Sequence, residues 1–126
     1  MPSRERQKRL MREVYDEAGV DPASVPYVEL HSTGTAVGDP QEINGVTEVF
    51  CSNGRSKPLL VGCVKSNMGH SETTAGLASL AKVLIAINDR AIPANLHFNE
   101  PNPKVPGLFD GRLKVISPCV FKSDLF

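Results

Sequence analysis

The sequence lacks tryptophan, an excess of charge of either sign and any long apolar run. Its 14 basic and 14 acidic side chains cancel, so no overall field favours nucleic acid or anionic lipid. The longest strongly apolar stretch, residues 75–87, includes Lys82 and is shorter than the ~20 residues that span a bilayer. The first residues are charged, unlike a secretory signal. We therefore expect no nucleic-acid partner, no membrane anchor and a cytoplasmic location.

Cysteine is scarce as well. The three cysteines, Cys51, Cys63 and Cys119, are odd in number and far apart, which argues against a disulfide framework and against a CxxC metal site. The 126 residues, of which 40% are apolar and 22% charged, are typical of one globular domain.

The hydrophobic pattern predicts an α/β fold. Strands are expected at residues 27–30, 59–64 and 113–116, and helices at residues 4–18, about 39–50 and about 73–88. This order is typical of βα units on a mostly parallel sheet. Asp39 is expected to cap the second helix, with Pro40 at its first position. The third helix is apolar nearly all round, which predicts burial against more protein than this chain offers, so the isolated chain is expected to be marginally stable or prone to aggregation. The prolines of residues 92–107 exclude a long helix there.

Polar residues follow two of the predicted strands. His31 ends the first strand, and residues 65–70, which include Lys65 and His70, follow the second. Ligands of open α/β sheets bind at this edge, so the two loops are expected to share a pocket. Paired imidazoles can donate hydrogen bonds to the oxyanion of an enolate or a tetrahedral intermediate. The alternatives are that the histidines only bind backbone groups, or that they bind a metal.

A metal site would combine His31 and His70 with His97 and a cysteine or Asp39, but no pair of these residues has a short metal-binding spacing. Metal is therefore the less favoured hypothesis. The small residues of the loops also permit anion binding, yet neither of the usual glycine-rich nucleotide motifs is present. Loop threonines at 33 and 35 are placed to donate hydroxyl hydrogen bonds, although such residues often only cap turns.

Three motifs carry a resemblance. Residues 29–35 (ELHSTGT) with residues 38–42 (GDPQE) resemble the E-x-H-G-T-G-T-x-x-G-D-P-x-E motif of β-ketoacyl synthases. Residues 64–70 (VKSNMGH) match the V-K-S/T-N-x-G-H motif of that family, and residues 95–103 resemble its proline-rich connection. The resemblance covers about residues 12–116. It is strongest to the ketosynthase of animal-type multifunctional fatty acid synthase, with polyketide synthases as close neighbours.

The resemblance implies a thiolase-like fold, of which this chain is expected to be the C-terminal half. Residues 1–116 would form that partial ketosynthase domain, and residues 117–126 a divergent tail. The implied activity is a decarboxylative Claisen condensation of acyl and malonyl thioesters in fatty acid biosynthesis. Its partner would be an acyl carrier protein, and the complete domain would be a homodimer.

Site roles follow from motif position. His31 and His70 match the histidines that polarise the malonyl thioester and stabilise its enolate, and Lys65 matches the lysine that supports them electrostatically. Thr33 and Thr35 match the hydroxyls that hold the phosphopantetheine arm of the carrier. That arm is the only cofactor implied, and none would be bound by the chain itself.

Two departures from the family matter. No cysteine lies in a small-residue elbow like the one that carries the family's nucleophile, so the isolated chain is expected to catalyse no condensation. Cys63 is interpreted as a core residue. Ser32 stands where the motif has glycine, and an unusual backbone angle is expected there. Three alternatives remain open: a non-catalytic module that binds phosphopantetheine or a carrier protein, a polyketide synthase fragment, and a truncated product without function.

Overall fold

The computed structural model describes residues 3–52 and 54–121, which form a small sheet flanked by helices. The α-helices are α1 (Arg4–Glu17), α2 (Gly38–Phe50), α3 (Lys65–Met68) and α4 (Ala75–Asp89). The strands are β1 (Tyr27–Glu29), β2 (Leu59–Gly62), β3 (Ala91–Ile92), β4 (Leu113–Val115) and β5 (Val120–Phe121). Residues 122–126 of the expected tail lie outside the described residues.

The main sheet is parallel, with β2 between β1 and β4. Val61 of β2 is opposite Val28 on one side and Val115 on the other. The side chains of Leu59 and Val61 are fully buried, because helices and the proline-rich segment cover the central strand. The predicted α/β architecture of βα units on a mostly parallel sheet is confirmed.

Helices α1 and α2 pack against each other beside the sheet. The Tyr15 and Phe50 rings meet edge to face at 5.2 Å between centroids. At the rim, the ammonium of Lys8 lies 2.5 Å from a carboxylate oxygen of Glu48. The apolar side of α2, predicted from its spacing, buries Val46 together with Phe50. Helix α1 is thus a scaffold element, and its one buried residue, Lys8, is paired with a carboxylate of α2.

Helix α4 presents a broad apolar surface. The exposed α4 face is formed by Leu77, Leu80, Leu84, Ile85 and Ile87, which are 55–70% exposed. Only Ala75 and Lys82 of this helix are buried. Within the described residues nothing packs on that side of the helix, which agrees with the expectation that it needs more protein around it than this chain offers.

Two short strands were not predicted. β3 and β5 pair antiparallel, Ala91 opposite Phe121, so part of the expected tail is hydrogen-bonded to the segment after α4. The stretch between β3 and β4 has no helix longer than the single turn Pro106–Leu108, as its prolines predict. Within residues 3–52 and 54–121, no helix has the length and apolar character needed to cross a membrane.

Candidate functional site

The two motif histidines lie side by side at the carboxyl edge of the sheet. His31 follows β1, and His70 follows α3 after Gly69, whose φ of 81° lies in the left-handed region that favours glycine. The ring centroids are 5.8 Å apart and the ring planes meet at 87°. The structure therefore brings together the two loops that follow β1 and β2.

A cavity of about 530 Å³ opens at this edge. Thr33, Lys65 and His70 are among the residues that line it. His31 and Thr35 are not, although His31 stands against the ring of His70. Four of the expected site residues are thus gathered at one opening, and Thr35 lies apart from it.

Glu42, on α2, holds the backbone that carries His31. Its Oε1 accepts a hydrogen bond from the amide of His31 at 2.6 Å, and its Oε2 accepts one from the amide of Ser32 at 2.8 Å. Ser32 has a φ of 27°, a backbone angle that costs a non-glycine residue about 1–2 kcal/mol. The unusual angle expected at this departure from the motif is therefore present, and charge-assisted hydrogen bonds offset its cost.

Asp39 also binds this loop, and the expectation that it caps α2 is wrong. Helix α2 begins at Gly38, with Val37 before it and no side-chain cap. The two carboxylate oxygens of Asp39 instead accept hydrogen bonds from the amides of Gly34 and Thr35, both at 3.1 Å. The Thr35 hydroxyl accepts a hydrogen bond from the amide of Gly38 at 3.1 Å, so it closes a turn.

Lys65 is buried at the inner wall of the cavity. The residue is 9% exposed, and its ammonium has no hydrogen-bond partner within the described ranges of the chain. A buried cation without a partner is costly, since it has lost water and gained no anion. An anionic group in the cavity would therefore be stabilised by Lys65.

Two asparagines fix the opposite wall. Asn67 accepts a hydrogen bond from the amide of Leu96 at 3.0 Å and donates one to the carbonyl of Ala94 at 3.2 Å. Asn95 accepts one from the amide of Cys63 at 3.1 Å. The proline-rich segment is thus tied to the end of β2, which explains why an asparagine in the residue 64–70 motif serves the site. Nothing in the sequence pattern indicates the partners of Asn67 and Asn95.

The metal hypothesis gains no support from the geometry. His97 lines the cavity, with a φ of 60°. Among residues 3–52 and 54–121, no group of three or more His, Cys, Asp or Glu side chains is arranged to hold a metal ion.

None of the cysteines is an exposed thiol beside the histidines. Cys63 is buried in the wall of the cavity, its sulfur 3.4 Å from the carbonyl oxygen of His31, and burial raises the pKa of its thiol. Cys51 is half-buried and its sulfur lies 3.6 Å from the carbonyl oxygen of Arg112. Cys119 is exposed. The interpretation of Cys63 as a core residue agrees with its burial.

A buried ion pair that the sequence did not indicate lies directly behind the site. Glu29 and Lys82 have side chains only 7% exposed, and their Oε2 and Nζ atoms are 2.8 Å apart. The Tyr27 hydroxyl donates to the same Oε2, and Lys82 donates to that hydroxyl at 3.0 Å. Burial, together with the bond to Glu29, raises the pKa of Tyr27 and keeps its hydroxyl protonated.

Most of the chain matches a known protein family. Residues 1–99, which include both histidines and Lys65, match the family model described as the C-terminal domain of beta-ketoacyl synthase. The chain belongs to the β-ketoacyl synthase family. The resemblance inferred from the three motifs is thereby confirmed at the level of the family.

The curated relatives of the chain include fungal polyketide synthases. The highly reducing polyketide synthase ALT1 of Alternaria alternata is 51% identical over 106 residues, which are 84% of this chain and 4% of that protein. The hybrid PKS-NRPS synthetase pyvA of Aspergillus violaceofuscus is 50% identical over 105 residues, 83% of this chain and 3% of that protein. The chain therefore spans a small part of these relatives. They do not support the finer expectation of an animal-type fatty acid synthase.

Solved bacterial ketosynthases have the same fold. The ketosynthase from module 6 of the bacillaene synthase of Bacillus subtilis 168 matches with a TM-score of 0.88 and 35% identity, over 97% of this chain and 22% of that one. The ketosynthase domain OzmH KS7 of oxazolomycin from Streptomyces albus matches with a TM-score of 0.89 and 32% identity, over 98% and 22%. The thiolase-like fold of a ketosynthase C-terminal half is thereby confirmed.

Proposed function

We propose that this chain supplies the enolate-stabilising half of a polyketide synthase ketosynthase. The observation that carries the proposal is the edge-to-face pair His31 and His70, 5.8 Å apart, beside a cavity that Lys65 also lines. The polyketide assignment rests on the fungal and bacterial relatives. It replaces fatty acid biosynthesis as the leading interpretation.

In the proposed step, a malonyl thioester loses carbon dioxide. The bond between the α-carbon and the carboxylate breaks, and its electron pair moves into an enolate whose negative charge rests on the thioester oxygen. Hydrogen bonds from His31 and His70 to that oxygen stabilise the developing charge. The α-carbon then attacks an acyl thioester held on a cysteine, and the thiolate leaves.

The other site residues have supporting roles in this proposal. The unpaired ammonium of Lys65 favours the negative charge that enters the cavity. Thr33 lines the cavity and would hold the phosphopantetheine arm of a carrier protein, whereas the hydroxyl of Thr35 must first leave its turn to do so. A homodimer of the complete domain and a cytoplasmic location belong to the same proposal.

The test is decarboxylation in a complete ketosynthase that contains these residues. We expect His31→Ala and His70→Ala each to slow carbon dioxide release from a malonyl carrier thioester roughly a hundredfold to a thousandfold, the usual loss for one oxyanion donor. Acylation of the cysteine should change much less. Lys65→Ala should also slow turnover.

The matched control is His97→Ala, because His97 lines the same cavity but is not a member of the edge-to-face pair. It should leave carbon dioxide release within about threefold of the unsubstituted enzyme, as expected of a residue outside the charged centre. Full decarboxylation by either motif histidine variant would contradict the proposal. So would an equal loss in the control.

A second function has one observation in its favour. None of the three cysteines is an exposed thiol at the histidine pair, so the chain could bind a phosphopantetheine arm without condensation. Binding of a malonyl carrier mimic that cannot decarboxylate separates the two functions. A non-catalytic module predicts tight binding, and no carbon dioxide release from the natural thioester even in the complete domain.

A further inference from the structure

We propose that Glu29 is a positioning residue, whose carboxylate sets the junction between β2 and α3 and thereby places Lys65 relative to His31. The inference rests on the function proposed above and extends it to a residue outside the cavity lining. Glu29 is neither exposed to the site nor part of the histidine pair. Its influence would pass through the backbone.

One short hydrogen bond connects Glu29 to the residue that precedes Lys65. Oε1 of Glu29 accepts from the amide of Val64 at 2.6 Å. Val64 directly precedes Lys65, and Glu29 is two residues before His31. One carboxylate therefore links the two strand ends from which the site residues depart.

Two further hydrogen bonds hold the Glu29 carboxylate in place. Lys82, on α4, and the Tyr27 hydroxyl both bind Oε2, which leaves Oε1 directed at the Val64 amide. The surroundings are closely packed, since a Cβ added at Gly62 would lie 2.6 Å from the Tyr27 hydroxyl and 3.3 Å from the Lys82 ammonium. The carboxylate is therefore held from both sides by hydrogen bonds, and its position is transmitted to the junction.

The ion pair with Lys82 and the hydrogen bond to the Val64 amide contribute differently to the role of Glu29. A buried ion pair is often replaceable by neutral groups of similar size without loss of stability. The acceptor for the Val64 amide cannot be replaced in the same way. A buried amide that loses its hydrogen-bond partner will shift to find another one. The positioning role therefore predicts that the acceptor at residue 29 matters more than the ion pair.

Two double variants of a complete ketosynthase separate these contributions. Glu29→Gln with Lys82→Met removes both charges but keeps an oxygen that can accept from the Val64 amide. Glu29→Leu with Lys82→Met removes the acceptor as well, with similar side-chain volume. We expect kcat for carbon dioxide release within about threefold of the unsubstituted enzyme for the first variant, and at least about tenfold lower for the second, because small misplacements of site groups are costly.

Two further readouts distinguish positioning from a structural defect. KM should change less than about threefold in both variants, because the cavity lining is intact. Hydrogen exchange of the Val64 amide should be slow in the Gln/Met variant and much faster in the Leu/Met variant. The control is Glu48→Leu with Lys8→Met, an ion pair between α1 and α2 at 2.5 Å, which should keep its kcat.

Equal kcat values in the Gln/Met and Leu/Met variants would overturn the inference, as would an equal loss of kcat in the control. If the unsubstituted enzyme releases no carbon dioxide, the proposed function fails by itself. The positioning role is then decided by hydrogen exchange alone. Equal exchange of the Val64 amide in the two variants would refute it.

Discussion

The exposed α4 face predicts that the chain on its own binds hydrophobic dyes and associates with itself. Five large apolar side chains, 55–70% exposed, lie on one side of a single helix. Covering each of them would contribute ~1–2 kcal/mol, so two such faces in contact would contribute ~10–20 kcal/mol. Association of two proteins costs ~4–15 kcal/mol in lost freedom, which the face can offset.

The perturbation that tests this is Leu80→Gln, Leu84→Gln and Ile87→Gln in one chain. Glutamine is a good helix former, so α4 should persist and the circular dichroism spectrum should be unchanged. We expect the dye fluorescence to fall by most of its amplitude and the sedimentation coefficient to become independent of concentration. The control is Leu10→Gln with Val14→Gln on α1, where the replaced residues are comparably exposed.

These two α1 residues lie outside the exposed α4 face, so their replacement should leave dye binding and association as they were. Dye binding that persists after the three α4 substitutions would show that the surface responsible lies elsewhere. An unsubstituted chain that sediments as a monomer at high micromolar concentration and binds no dye would refute the reasoning altogether.

Two further predictions concern packing and thiol chemistry. Gly62→Ala should lower the free energy of unfolding, measured by urea titration, by about 2–4 kcal/mol, because the added Cβ would press on the fixed Tyr27 hydroxyl. The control is Gly76→Ala, whose Cβ meets nothing within 4 Å. It should raise the free energy of unfolding by up to ~1 kcal/mol. Burial raises the pKa of the Cys63 thiol, so less thiolate is present near pH 8 and iodoacetamide should label Cys63 far more slowly than the exposed Cys119. Equal labelling of the native protein, read by peptide mass spectrometry, would contradict the second prediction.

The periodicity of the sequence was sufficient for the α/β order and for the approach of His31 to His70. Both are consequences of local pattern, since parallel strands end at the same edge of the sheet. The pairing of Glu29 with Lys82 joins residues far apart in sequence, and no local pattern encodes it. The role of Asp39 was misassigned for a related reason. A carboxylate in the first turn can serve its own helix or a preceding loop, and only the fold decides which.

Helix α2 holds the loop after β1 through backbone amides, which leaves some of the loop side chains free to be replaced. Glu42 and Asp39 bind four backbone amides, so the path of the loop depends little on which side chains it carries. Gly34, with a φ of 85°, is constrained to remain glycine. Thr33 is under no such constraint while it lines the cavity. Protein engineers could therefore vary residue 33 to reshape the lining of the cavity while His31 stays in place.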